Sequence, residues 1–147
     1  MKTFFNQLFD YNFYCNKKLI DKCIEVVEVP EKSELFFSHI LNAHNIWNSR
    51  ILGKQPDYTV FEKHPIKAWE DIHYENQRSS FEIIVITVDF DKHIPYENTE
   101  QRSFSNTVGE MLFHVINHST HHRGQISADF RNNGIEPLEL DYIFYKR

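Results

Sequence analysis

Thr107-Val108-Gly109-Glu110-Met111-Leu112-Phe113-His114-Val115-Ile116-Asn117-His118-Ser119-Thr120-His121-His122-Arg123-Gly124-Gln125 is the stretch on which the reading of this chain turns. It opens with a capping box: in T-x-x-E the Thr107 hydroxyl and the Glu110 carboxylate each satisfy a backbone donor at a helix start. The apolar period of three and four then runs on to Asn132 or Asn133, where Gly134 supplies a left-handed stop. Four histidines fall within nine residues of that helix. His118 and His122 are one turn apart and share a face. In the reading by period they replace apolar residues in the stripe Val108, Met111, Val115, His118, His122, Ile126 and Asp129.

Working outward, three more long amphipathic segments appear. The first spans about Thr3 to Glu28, with Phe4, Phe5, Leu8, Tyr11, Cys15, Leu19, Cys23 and Val26 on one face and Asn12 in the same stripe. Val29-Pro30 ends it. The second spans about Ser33 to Leu52, with Ser33 as its N-cap and Gly53 as its stop. Phe37, Ile40, Leu41, His44, Trp47, Asn48 and Ile51 lie within about 60° of His44, which puts His44 mid-stripe, whereas His39 is about 140° away and is read as solvated. The third spans about Ile66 to Val88 with Pro65 in its first turn. Its β-branched end favours a strand on propensity, but no Gly or Pro interrupts it, so one helix is expected. His73 on its half-polar face is a weaker candidate for a site. Residues 53 to 65, with two prolines and His64, form a long connection. Residues 89 to 105 read as two extended arms around a polar turn. The tail from Leu138 to Tyr145 is expected to fold back on the helices. These segments predict an all-α fold: a single domain over residues 1–147, a four-helix bundle with a small hairpin before the last long helix, in up-down order or with crossovers.

Composition narrows the function classes. Sixteen Lys and Arg against 21 Asp and Glu give a net charge of −5, and no basic cluster is present, so no nucleic-acid partner is expected. No apolar run reaches the roughly 20 residues of a membrane span. The first residues lack a secretory pattern. Cys15 and Cys23, about 12 Å apart along one helix at 1.5 Å per residue, are too distant for a disulfide and read as core fillers in a cytoplasmic protein.

A buried imidazole in an apolar stripe needs a partner. Two core-facing histidines on the fourth helix and His44 on the second supply three nitrogens around one interior point. That set suits a borderline divalent ion, zinc or nickel first. Three protein ligands leave coordination positions open, as at a reactive metal. Ser119, not a glutamate, follows His118, so the H-E-x-x-H arrangement of zinc proteases is missing. His121, Arg123, Gln125 and Asn12 are candidate substrate or supporting contacts.

The stretches Leu41-Asn42-Ala43-His44-Asn45-Ile46-Trp47 and Val108 to Ile126, with its H-x3-H-R-G-Q signature, resemble the DinB family of damage-inducible bacterial proteins (DinB/YfiT-like). Ile94 to Asn98 and Asp141 to Tyr145 also look like the family pattern. The resemblance implies a four-helix bundle, commonly a homodimer, with a divalent metal on three histidines. By motif position these are His44, His118 and His122. Some relatives are transferases or isomerases using a low-molecular-weight thiol. The implied function is thus a metal-dependent thiol S-transferase acting on a small molecule. A hydrolase using metal-bound water and a non-enzymatic metal-binding stress-response module stay open. Glu100-Gln101 stands where family members often have a glycine, so a different turn is expected there.

Overall fold

The computed structural model describes all 147 residues, Met1 to Arg147. The chain is mostly helical: α1 (Lys2–Glu25), α2 (Glu31–Leu52), α3 (Ile66–Ile86), a hairpin of β1 (His93–Glu97) and β2 (Ser103–Thr107), then α4 (Val108–Asn132) and one turn of α5 (Tyr142–Tyr145). The segment ending in Ile83-Ile84-Val85-Ile86 is helical, as continuity predicts. Its Ile83 and Ile84 are buried between helices, and tertiary burial overrides β propensity. Thr107 and Glu110 form the expected capping box. Helix α2 starts earlier than read, with Pro30 at its N-cap. Ser33 instead donates from Oγ to Asp129 Oδ2 at 2.7 Å, tying α2 to α4. The strands pair antiparallel with His93 opposite Thr107 and Glu97 opposite Ser103. Gln101 closes their turn at φ 59°.

Two apolar clusters fill the interior. One joins Leu19, Ile20 and Cys23 of α1 to Phe37, Ile40 and Leu41 of α2, Trp69 of α3 and Ile126 and Phe130 of α4. The other joins Phe5 and Phe9 to Ile83, Ile84, Phe90, Val108, Leu112, Val115 and Ile116, with Trp47, Ile51 and Leu52 packed on it. Each helix passes from one cluster to the other, which gives its direction: α1 and α4 run one way, α2 and α3 the other. The connection 53–65 must therefore return along the length of α2. Its contacts trace that path. Asn45 Nδ2 donates to Asp57 Oδ2, Asn42 Nδ2 to the Val60 and Glu62 carbonyls, and His64 Nε2 lies 2.6 Å from Asn42 Oδ1. His64, placed in a loop by sequence, is buried there.

Between the two clusters each of the four long helices contributes polar residues: Asn12 and Asn16, His44 and Asn48, His73, Asn76, Gln77 and Ser80, and Ser119 and Arg123, all buried. This layer crosses the middle of the protein. The tail folds back as expected, with the Tyr11 hydroxyl donating to the Leu140 carbonyl at 2.6 Å. No helix is long and apolar enough to cross a membrane. Cys15 and Cys23 are free and buried, and burial pushes the Cys23 thiol up to about 12.

Candidate metal centre

The half-buried His39, His118 and His122 bring their ring nitrogens within 4.8 Å of one another. His118 Nε2 lies 3.1 Å from His39 Nε2 and 3.1 Å from His122 Nε2. Two nitrogens about 2.05 Å from a tetrahedral ion stand about 3.3 Å apart, so this spacing fits a shared metal. The outer nitrogens are also organised. His39 Nδ1 is 3.0 Å from the Val60 carbonyl oxygen, which accepts only, so Nδ1 carries the proton and Nε2 the lone pair. His122 Nδ1 is 2.6 Å from Gln125 Oε1, which sets the same tautomer. Metal-bound histidines are oriented in this way by partners on the far nitrogen.

Burial pushes His118 down to about 3, and the neighbouring His122, His39, His114 and His121 push in the same direction. Burial also lowers His122, opposed by its bond to Gln125. Neutral imidazoles, the metal-binding form, are what this pocket favours. Phe36 stacks on His122 at 5.6 Å and Phe61 on His39 at 5.2 Å, so aromatic faces shield two sides of the cluster.

The structure brings together two of the three expected ligands and replaces the third. His44 lies elsewhere. Its Nε2 is 2.7 Å from Ser80 Oγ on α3, and its ring is 5.7 Å from Phe9 of α1. It faces α1 and α3, whereas His118 and His122 face α2 from the α4 side. His39, read as solvated, takes the place. The reason is geometric: α2 packs against two neighbours and has two buried arcs. Phe36, His39, Ala43 and Trp47, at successive spacings of three and four residues, form the second arc. Phe36 meets His122 and Trp47 meets His114 at 4.7 Å. That weaker stripe was the signal for His39. The returning connection completes the position, since Val60 and Phe61 close over His39.

The phase of α4 is also shifted from the expected one. Ser119 and Arg123 occupy the fully buried line, and His118 and His122 border it. Arg123 and Asn12 do not reach the cluster. Arg123 Nη1 donates to Asn12 Oδ1 and Asn16 Oδ1 at 2.7 and 2.8 Å, and Nη2 to Thr120 Oγ1 at 3.0 Å. Gln125 holds a supporting position behind His122. His121 is exposed, with its ring 5.1 Å from that of His122. His73 is a core residue whose Nε2 donates to the Phe13 carbonyl.

Residues 33–147 match the model of the DinB family. Across 99% of its length the chain is 23% identical to Protein DinB of Bacillus subtilis (strain 168), covering 95% of that protein. A family match over more than half of the chain, carrying the histidine helix and the helix that faces it, establishes that this protein belongs to the DinB family.

Proposed function

We propose that the chain is a metal-dependent thiol S-transferase built on a four-helix bundle, with one zinc or nickel ion held by His39, His118 and His122. The observation that carries the reading is the convergence of Nε2 nitrogens whose Nδ1 partners, the Val60 carbonyl and Gln125, leave their lone pairs pointing inward. A divalent ion held by His39, His118 and His122 would supply Lewis acidity that lowers the pKa of a small thiol. The surrounding residues support this reading. Phe36 stacks on the His122 ring and Phe61 on the His39 ring, so each covers one face of a ligand. His121 is exposed beside His122, at the solvent side of the cluster. Three protein ligands leave room for a guest, the arrangement of catalytic rather than structural sites.

Metal analysis of untagged protein tests the ligand set. His39→Ala, His118→Ala and His122→Ala should each lower bound metal from near one per chain by at least tenfold, whereas His44→Ala should retain it. Retention by His39→Ala with loss in His44→Ala would overturn the assignment. Thiol conjugation to a small electrophile should vanish on chelation and return with one equivalent of metal. Full activity in His118→Ala/His122→Ala would remove the reaction, and turnover without thiol would favour metal-assisted hydrolysis. The homodimer expected from family resemblance is checked by sedimentation.

A further inference from the structure

Beside the histidine cluster, between α2, the hairpin and α4, lies a cavity of about 460 Å³ that the proposed reaction does not yet use. His114 links the two. Its ring is 5.5 Å from that of His118 and 4.7 Å from that of Trp47, so it is both the inner wall of the cavity and a neighbour of a ligand. Three further lining residues, Trp47, Tyr96 and Phe113, are aromatic. Tyr96 meets Trp47 edge-on at 5.2 Å, and Phe113 lines the cavity while half of its surface is exposed. These rings are held in place. The Tyr96 hydroxyl donates to Asn106 Oδ1 at 2.9 Å, and the Arg50 guanidinium stacks 4.4 Å from the Trp47 ring centre and 4.6 Å from that of Tyr96. A pocket whose rings are fixed in advance loses little side-chain freedom on binding.

Charged groups of both signs border the cavity. The cavity has one formally charged wall residue, Glu110. Its Oε2 accepts from the Thr107 amide at 2.8 Å and from Asn106 Nδ2 at 3.1 Å, while Oε1 has no partner within the protein. Those bonds favour the ionised carboxylate. With the Glu110 carboxylate on one wall and the Arg50 guanidinium stacked on the Trp47 and Tyr96 rings, the aromatic walls favour a flat apolar body.

The geometry points to this cavity as the specificity pocket for the body of the substrate: an aryl group attached to a head that reaches the histidine-held metal. The inference rests on the metal reading above, and the test separates the two. Protein is loaded with zinc, its metal content is measured, and acetohydroxamate and benzohydroxamate are compared by calorimetry. Failure to take up zinc defeats the metal reading and the inference with it. With zinc bound, benzohydroxamate should bind at least tenfold tighter. Trp47→Ala should cut that advantage at least fivefold while leaving acetohydroxamate affinity within twofold. Should Trp47→Ala fail to fold, Phe113→Ala, at a half-exposed position, reads the same advantage. Equal affinity of the two hydroxamates for loaded wild-type protein, or an aryl advantage unchanged in the variants, overturns the pocket.

Discussion

His44 and His39 show how far a single residue can be read. Both are histidines on α2, and a helical wheel put His44 at the centre of the buried face, where the structure has it. Burial and meeting a metal are separate properties. The deepest residue of a helix faces the core, whereas a site open to a guest lies at an edge between two helices, where His39 is. His44 has a different consequence. Burial, with nearby His73 in second place, pushes it down to about 3. Burial pushes His73 down to about 4 despite its bond to the Phe13 carbonyl. In the unfolded chain both titrate near 6.5. The folded state therefore binds fewer protons, and stability is full above about pH 6.5 and falls as pH drops, toward about 3 for His44 and about 4 for His73. Each group contributes a slope of up to about 1.4 kcal/mol per pH unit within its window. Denaturant titrations between pH 7 and 4, in chelator, should show that decline, and it should flatten by about one proton in His44→Gln. An unchanged slope in that variant would contradict the neutral buried imidazole.

At the scale of elements, boundaries with local chemistry were legible and those set by packing were not. The start of α4 was readable because Thr107 and Glu110 carry the capping interaction within four residues. Thr107→Ala should cost about 1 kcal/mol and lower the melting midpoint by about 2–4 °C in a domain of this size. The start of α2 was misplaced because Ser33, a good capping type, spends its hydroxyl on Asp129 of α4, a partner 96 positions away. The path of residues 53–65 was equally closed to inspection. Nothing local shows that α2 and α3 run in the same direction, yet that return is what lays Val60 and Phe61 over His39. The hairpin is the reverse case. Glu100-Gln101 departed from a glycine pattern, and Gln101 adopts the left-handed conformation that glycine takes freely. A side chain there costs about 1 kcal/mol. Gln101→Gly should therefore raise the midpoint by about 1–3 °C by calorimetry, with no change in metal content.

For the molecule as a whole, the distinctive feature is the polar layer between two apolar clusters. Asn12 and Asn48 hinted at it, each a polar residue in an apolar stripe, but its extent required all four helices to be superposed. At its centre Arg123 is buried with no carboxylate among the buried residues, held by Asn12, Asn16 and Thr120. A buried charge is a weak source of stability, yet removing one partner of such a group is expensive because the others are left desolvated. Arg123→Ala would strip the donors from Asn12 Oδ1 and Asn16 Oδ1 and open a cavity, so a loss of about 3–5 kcal/mol is expected. Asn12→Leu/Asn16→Leu/Arg123→Met removes the charge and both amides together and refills the space. It should recover most of that loss in denaturant unfolding at neutral pH, while still binding metal, because none of the three residues touches His39, His118 or His122. A triple variant no more stable than Arg123→Ala would mean that the layer contributes net stability, beyond avoiding the cost of breaking it. Loss of metal in a folded triple variant would mean that the layer positions α4 for the cluster.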